Sequence, residues 1–285
     1  MRLLTPKPEQ KKRGFIRKLM ADRMGFVAAI VVLIMLFTAY VAPFFFPVDL
    51  NDLGTDSFLP PSLQHPFGTD EYGRNELLLV INGAKTSLTI GLAVAAAATI
   101  LGLLIGGIAG FAGGIVDTII MRITELFQVM PAFVLAAVAV ATLGSGTEGV
   151  IIILSILGWP QIARVVRGEV LRLKRLEFVD ALRCLGKSNT HILLREVLPN
   201  AIAPAITLGT LVVGQAILQE AGLGFLGIGA TGAGSWGGML NRGQEFLTSA
   251  WWMSVFPGLA IAITVVAINL FGDAVGRILN PSKGK

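Results

Sequence analysis

The chain has 285 residues, of which 54% are hydrophobic and only 14% are charged, and its mean hydropathy is +0.73. A soluble domain carries about a quarter of charged residues, so the composition predicts a helical protein that crosses a membrane several times. One cysteine excludes a disulfide framework, and two histidines leave little material for a metal centre. We attribute the net charge of +5 to membrane topology rather than to nucleic-acid binding.

The first apolar segment, Met24–Val48, follows a basic tail, residues 1–23, that holds eight Lys or Arg. This segment is longer than the roughly 7–15 apolar residues of a signal peptide, and no small-residue cleavage site precedes Ala42. We therefore expect a retained first transmembrane helix with its N-terminus in the cytoplasm.

Six stretches lack charged side chains and are apolar enough to span about 30 Å of hydrocarbon. They are Met24–Val48, Thr86–Val116, Leu126–Thr147, Gly149–Ala163, Val197–Gln219 and Phe246–Gly272. With the N-terminus inside, the inner segments hold 20 Lys or Arg and the outer segments hold three. This asymmetry favours six spans with both termini in the cytoplasm.

These spans predict a domain order for the whole chain. It comprises a tail at 1–23, a first helix at 24–48, an extracytoplasmic loop at 49–85, a five-helix domain at 86–276 and a tail at 277–285. The five-helix domain contains a cytoplasmic loop at 164–199 and a glycine-rich outer loop at 220–251. We expect irregular, solvated backbone in the first outer loop. The second is predicted to be compact, non-helical backbone packed on protein, because lipid does not tolerate exposed irregular backbone.

Two apparent nucleotide-binding motifs are rejected. The glycines at 222, 224 and 227 match G-x-G-x-x-G, but a membrane span precedes them instead of a strand. Gly186-Lys187-Ser188 resembles the end of a phosphate-binding loop, but Ala181 stands where its first glycine is required. We predict that this chain binds no ATP.

Glycines recur every four residues at Gly102, Gly106, Gly110 and Gly114. This spacing places them on one face of a helix, where another helix can approach closely. The contact can lie within the chain or with a second subunit.

Ionisable side chains in the middle of a span would indicate an ion or proton path. The six candidates, Asp117, Arg122, Glu125, Glu148, Glu220 and Asp273, all lie near predicted span ends. We expect Glu220 at the membrane interface. The alternative, in which Glu220, Phe225 and Trp236 line a cavity, stays open. No Ser-His-Asp, Cys-His or paired-carboxylate pattern emerges, so no catalytic residue and no metal site are predicted.

The inner loop contains a polar helix-turn-helix pattern. Residues 176–184 predict a short amphipathic helix, Gly186 a helix stop, and Ser188 or Asn189 the cap of a second helix that reaches Leu198-Pro199. A helix of this kind either lies on anionic lipid or docks into a groove on a soluble partner.

This segment resembles the cytoplasmic EAA loop of binding-protein-dependent ABC transporter permeases, whose pattern is E-A-A-x3-G-x9-I-x-L-P. The corresponding positions are Asp180, Ala181, Leu182, Gly186, Glu196, Leu198 and Pro199, with no insertion. Asp180 replaces Glu and keeps its charge, whereas Leu182 and Glu196 depart from the pattern, and we expect these two changes to tune the contact with the partner.

A second resemblance is to the dipeptide, oligopeptide and nickel permeases, in their C-type subunits. It rests on HPFGTDEYGR at 65–74 and GAKTSL at 83–88, with further matches at Gly113-Gly114, Asp117, Arg122 and the segments 225–229, 235–237, 256–258 and 269–273. The resemblance covers nearly the whole chain. It implies an all-α integral protein of the cell membrane with six transmembrane helices in the type I ABC importer permease fold.

The same resemblance implies the partners and the functional residues. The chain would form one translocation path with a homologous permease, and it would couple to two ATP-binding subunits that carry ATP and Mg²⁺. An extracytoplasmic solute-binding protein would deliver a dipeptide, an oligopeptide, nickel or a related solute. The coupling residues would be Glu177, Phe178, Val179, Asp180, Ala181, Leu182, Arg183, Gly186, Leu198 and Pro199. The competing hypothesis is a stand-alone secondary transporter or channel.

Overall fold

The computed structural model describes residues 15–46, 54, 56–144, 146–229 and 234–279. Within these residues the regular structure is helical, apart from one isolated bridge between Thr69 and Asn75. The helices are α1 (Phe15–Ala21), α2 (Arg23–Tyr40), α3 (Ala42–Phe45), α4 (Glu76–Ala112), α5 (Gly114–Val129), α6 (Ala132–Leu143), α7 (Thr147–Leu173), α8 (Glu177–Cys184), α9 (Asn189–His191), α10 (Leu198–Phe225), α11 (Trp236–Gly243) and α12 (Trp252–Leu279). A π-helical turn, Ile192–Val197, joins α9 to α10, and a 3₁₀ turn, Gln244–Phe246, follows α11.

Five of the described helical segments are long and apolar enough to cross a membrane. A sixth crossing exists if the bent pair α5–α6 counts as one span. The predicted third span, Leu126–Thr147, contains the bend of this pair, where the two helices meet at 87°. Met130 and Pro131 are extended at the bend, as expected for a residue that precedes proline and for proline itself.

Several predicted boundaries also move. Helix α4 begins at Glu76, ten residues before the predicted Thr86, so the outer loop ends at 75 instead of 85. Helix α7 continues to Leu173 and takes the first ten residues of the predicted cytoplasmic loop, although it contains Pro160. Helix α12 occupies Trp252–Leu279 instead of Phe246–Gly272. These helices contain charged residues near their ends, so a search for uncharged stretches does not find their full length.

The glycine-rich outer loop was predicted to be non-helical, which is wrong for much of 220–251. Helix α10 extends to Phe225, and α11 forms a further helix whose first turn is capped by the Ser235 side chain. Residues 230–233 lie outside the part of the chain that the structure describes, as do residues 1–14, 47–53 and 280–285. Those gaps include most of both predicted tails and the end of the first predicted span.

Helix α4 is the centre of the bundle, and its most extensive contact is with α7. Gly102 lies against the Ile162 side chain, and Gly106 lies against the Ala163 backbone. Gly110 lies against the Arg167 carbonyl oxygen, one turn further along α7. The missing side chains allow the two backbones to touch, which places this glycine face inside the chain.

Gly114 does not belong to this face, which corrects the prediction for that residue. Helix α4 ends at Ala112, and Gly113 and Gly114 have φ of +71° and +55° in the turn into α5. A Cβ at Gly114 would meet no atom within 4 Å. The fourth glycine therefore serves the turn instead of the helix contact.

Helix α2 packs on α4 and α12, outside the other spans. At its first turn, Asp22 accepts a hydrogen bond from the Gly25 amide and forms an ion pair with Arg277 at 2.5 Å. The hydrogen bond from Arg277 lowers the pKa of Asp22 below its ordinary value. The start of α2 and the end of α12 therefore lie together, on the same side of the bundle.

The α4–α7 contact yields a prediction. We expect Gly106→Ala to destabilise the protein, because the new Cβ would overlap the Ala163 backbone, which cannot move aside as a flexible side chain would. The matched control is Gly168→Ala in α7, where a Cβ meets nothing within 4 Å. Removing a helical glycine there should stabilise by about 0.5–1 kcal/mol. Thermal unfolding in detergent compares the two, and equal melting temperatures would contradict the packing model.

Candidate functional site

The inner loop folds as the sequence predicts, with α8 followed by a sharp turn and a second helix. Glu177 and Asp180 lie in the first turn of α8, where negative charge is favourable, and Arg183 lies in the last turn. Arg183 also forms an exposed ion pair with Asp180 at 3.0 Å. Both ends of α8 therefore carry charges that suit the helix dipole.

Gly186 closes α8 in the left-handed conformation, with φ of +75°. The Gly186 amide donates to the Arg183 carbonyl at 2.9 Å, and the Lys187 amide donates to the Leu182 carbonyl at 3.1 Å. This pair of bonds is a Schellman motif, which satisfies the last carbonyls of the helix. A Cβ at Gly186 would meet no atom within 4 Å, so the requirement for glycine is conformational and not steric.

The two faces of α8 differ in exposure. Val179 is fully buried in the main hydrophobic core, and Leu182 is partly buried against it. Phe178, Ala181 and Leu185, at i, i+3 and i+7, line an adjacent side, and all three are exposed. Glu177, Asp180 and Arg183 are exposed next to them. The helix is thus held by one apolar edge and presents a second apolar edge, flanked by charges, to the outside.

The chain returns from α8 to the bundle through a capped, bent segment. The Ser188 side chain accepts a hydrogen bond from the His191 amide at 3.3 Å and caps the next helix. The π-helical turn precedes Pro199, which is in the first turn of α10 and has no amide hydrogen to donate. Leu198 is buried against Gly107 of α4. The Leu-Pro pair therefore anchors the end of the loop on the central helix.

The other end of the loop is fixed by charges. Arg167 of α7 donates from Nε and from Nη2 to the two carboxylate oxygens of Asp117 in α5, at 2.5 and 2.6 Å. Lys174, immediately after α7, donates to the carbonyl oxygen of Phe111 near the end of α4. These contacts join the end of α7, which leads into α8, to helices α5 and α4. Asp117 was noted from the sequence as a residue near a span end and as a match to the family, but neither its ion pair with Arg167 nor the role of Lys174 was predicted.

Glu220 is enclosed by protein, whereas the sequence predicted a carboxylate at the membrane interface. It is completely buried in α10, and its carboxylate accepts a hydrogen bond from the Ser87 hydroxyl of α4 at 3.3 Å. Ser87 also accepts a hydrogen bond from the Trp236 amide at the start of α11. The indole nitrogen of Trp236 donates to the Val80 carbonyl at 2.9 Å. These residues join α4, α10 and α11 in one buried polar cluster, which we call the Glu220 cluster.

The three residues that were proposed to line a cavity differ in their exposure. Glu220 and Trp236 are 0% and 1% exposed, so they contact protein and line no open path in this structure. Phe225, at the end of α10, is 42% exposed. Ser87 completes the cluster but carries no local signal in the sequence, because its partners are 133 and 149 residues away.

Both rejected nucleotide motifs are helix ends. Gly227 has φ of +76° and closes α10, with the Ile228 amide donating to the Leu223 carbonyl at 3.1 Å. Gly224 lies against the backbone of Gly237 in α11. The G-x-G-x-x-G spacing thus serves a helix cap and a close backbone contact. Gly186-Lys187-Ser188 is likewise the cap of one helix and the start of the next.

The first outer loop is more ordered than predicted. Asp70 is 1% exposed, accepts the amides of Tyr72 and Arg74, and forms an ion pair with the Arg74 side chain at 2.6 Å. The indole of Trp252 donates to the Thr69 carbonyl at 3.0 Å. The loop is therefore attached to the outer end of α12. Asp70 and Arg74 lie four residues apart with Gly73 between them, and this spacing is the sequence signal for the turn.

No group of three or more His, Cys, Asp or Glu side chains that could hold a metal ion is found in the described ranges. Cys184 is a free cysteine on the exposed side of α8. The inner loop and the Glu220 cluster thus offer contact surfaces and packing but no ligand set for a metal.

The chain matches two family models. One is described as the binding-protein-dependent transport system inner membrane component and matches residues 102–285. The other is the N-terminal TM domain of oligopeptide transport permease C and matches residues 13–61. The chain belongs to the family of binding-protein-dependent transport permeases. The predicted family membership is confirmed, and the permease is a multi-pass membrane protein.

Relatives cover most of the permease. A putative peptide transport system permease protein of Brucella abortus is 40% identical over 93% of this chain and 90% of its own length. The dipeptide and oligopeptide transport system permease proteins of Bacillus subtilis are each 35% identical over 93% of this chain, and 84% and 88% of their own lengths are covered.

The fold also has a solved counterpart. A chain of the MetNI methionine ABC transporter, solved in inward-facing conformations, superposes with a TM-score of 0.58 over 70% of this chain and 96% of its own length. The two sequences are 20% identical, so this similarity concerns the fold alone. It confirms the type I ABC importer permease fold for the permease.

The Asp117–Arg167 pair yields a second prediction. A double-mutant cycle with Asp117→Ala and Arg167→Ala should give a coupling energy of about 1–3 kcal/mol in thermal unfolding, because the pair is bidentate and partly buried. The control cycle uses Arg122 and Glu125, whose side chains are 78% and 50% exposed. That pair should give roughly 0–1 kcal/mol. Coupling that is no larger in the first cycle than in the second would refute the anchoring role.

The Glu220 cluster yields a third prediction. Glu220→Ala should lower the melting temperature, because it opens a cavity and leaves the buried Ser87 hydroxyl without its acceptor, at a cost of about 1–3 kcal/mol. Glu220→Gln keeps the shape and the acceptor and should lose much less. An alanine variant as stable as the glutamine variant would show that the cluster does not hold α11.

Proposed function

We propose that this permease forms half of the translocation path of an ATP-driven importer and is moved by ATPase subunits that bind α8. The observation that carries the proposal is the exposed edge of α8, formed by Phe178, Ala181 and Leu185. An apolar edge of about two turns, flanked by charged residues, suits a groove on a soluble protein. The resemblance of Asp180–Pro199 to the EAA loop supports an ATPase subunit as the owner of that groove.

The proposed coupling residues fall into two groups by their contacts. Glu177, Phe178, Asp180, Ala181 and Arg183 are exposed and would touch the ATPase. Val179, Leu182, Gly186, Leu198 and Pro199 hold the helix and the turn on the permease. The substitution of Leu for Ala at 182 fits the second group, because Leu182 packs on the core.

The orientation follows from charge and from contacts between helix ends. The Asp22–Arg277 ion pair places the start of α2 beside the end of α12. Lys174 places the start of the inner loop beside the end of α4. With 20 of the 23 Lys and Arg predicted on that side, we assign it to the cytoplasm, together with both termini.

The remaining partners follow from the family. A homologous permease would complete the path, two ATP-binding subunits would hold ATP and Mg²⁺, and an extracytoplasmic solute-binding protein would deliver the substrate. The permease itself would carry no cofactor and no catalytic residue. The names of the relatives, which include dipeptide, oligopeptide and glutathione transport systems, support a peptide-like substrate.

Substitution at Gly186 tests the coupling role. Gly186→Leu forces a bulky residue into the left-handed region at a cost of about 1–2 kcal/mol, which shifts a two-state balance roughly five- to thirtyfold. We expect a similar loss of substrate-stimulated ATP hydrolysis and uptake in an assembled complex. Gly186→Asn is the control, because asparagine tolerates this conformation better. Normal substrate-stimulated ATP hydrolysis and uptake in an intact Gly186→Leu complex would contradict the coupling role of this turn.

The native cysteine tests the docking surface and the topology. Cys184 is the only cysteine of the chain and lies on exposed α8, so a thiol cross-linker should join it to a co-expressed ATPase subunit. A Cys184→Ser, Ser249→Cys variant moves the thiol to an exposed position before α12. That thiol should react with an impermeant reagent from outside the cell and should not capture the ATPase. Labelling of Cys184 from outside would reverse the proposed topology.

A further inference from the structure

An apolar cavity of about 180 Å³ lies between α2 and the rest of the bundle. Its wall includes Val32 and Leu36 of α2, Leu88 and Leu92 of α4, Val213 of α10 and Ile268 of α12. No polar atom of the wall is exposed to the cavity. All four helices belong to segments apolar enough to span a membrane, so the cavity lies at membrane depth.

The cavity lies between two attachments of α2, beside the contacts that Val32 and Met35 make with the core. At the inner end, Asp22 pairs with Arg277, and Gly25 lies directly against Ala274. Near the outer end, the Tyr40 hydroxyl is hydrogen-bonded to the Thr89 hydroxyl at 3.0 Å. Between these attachments, the side chains of α2 do not fill the space against α4, α10 and α12.

Two properties of the cavity select its occupant. Water is disfavoured, because it needs two to four polar partners. The wall contains two hydroxyls, of which that of Thr210 already donates to the Thr207 carbonyl and that of Thr264 alone is left to bind a water. An apolar cavity of about 150 Å³ stays dry and admits small hydrocarbons, so this space is large enough for part of an alkyl chain. The cavity also opens to the surface, where Leu92 is 40% exposed, and the medium around a span is lipid hydrocarbon.

We propose that this cavity binds an acyl chain of a bilayer phospholipid, inserted between α2 and the other spans. A transported peptide does not fit, because its amide groups would be buried without hydrogen bonds. The wall on the α2 side lies within residues 13–61, which match their own family model. The acyl chain would complete the packing between this N-terminal helix and the bundle of α4, α10 and α12.

Lipid retention tests the proposal. The full chain is purified with its co-expressed partner subunits, washed extensively in detergent, and its bound phospholipid is counted by mass spectrometry. Wild type should retain about one more phospholipid per permease chain than Val213→Phe, whose ring fills the cavity. The matched control, Ile100→Phe, adds the same bulk on α4 at a position that is 59% exposed and outside the cavity wall. It should retain as much lipid as wild type.

Location is tested with a phosphatidylcholine that carries a photoreactive diazirine in its acyl chain. After the washed wild-type protein is irradiated, the label should be found on Leu36, Leu92 or Ile268, and Val213→Phe should abolish it. Val32→Phe fills the cavity from α2 and serves if Val213→Phe does not fold. Equal lipid retention in the filled variants and wild type would overturn the proposal. So would equal lipid loss in Ile100→Phe, or labelling spread over the exposed faces.

Discussion

The backbone contact between α4 and α7 is the constraint on which the rest of the structure depends. At Gly102, Gly106 and Gly110 the two helices approach so closely that a single methyl group would overlap a neighbour. In a bilayer no hydrophobic effect drives two apolar helices together, so such close packing has to supply the attraction. Because α8 follows directly after α7, the position of the inner loop is set by the same contact. The exposed edge of α8 is thus positioned by the core of the bundle.

The inner loop combines firm attachment with exposure. On the α7 side, Arg167 and Lys174 bind neighbouring helices through charge-assisted hydrogen bonds. On the α10 side, Leu198 packs on Gly107 of the same central helix. Between these attachments, α8 buries Val179 and leaves most of its surface uncovered. Lys174 and Leu198 thus connect both ends of the α8 segment to α4, and Arg167 connects it to α5.

The parts of the structure that the sequence predicts are those encoded by neighbouring residues. The caps at Gly186 and Ser188 are local, since each depends on the conformation or side chain of one residue, and both were located correctly. The helical class follows equally from the apolar segments. The bend at Pro131 could also be predicted from the sequence, because a proline disfavours helix at the residue before it. A search for spans by hydropathy alone does not detect it.

Burial of a charge cannot be predicted in that way. Glu220 lies five residues before the end of its helix, where a carboxylate usually reaches water. It is nevertheless enclosed by Ser87, 133 residues earlier, and by the helix that starts at Trp236. Asp70 is enclosed similarly by its own turn and by a loop attached to Trp252. Both carboxylates hold the outer cap of the bundle, formed by the loop before α4, by α11 and by the start of α12. Long-range contacts therefore position this end of the bundle and also attach the inner loop to α4 and α5. Local signals specify only the turns at Gly186 and Ser188, and these turns are the part of the loop that the sequence predicts.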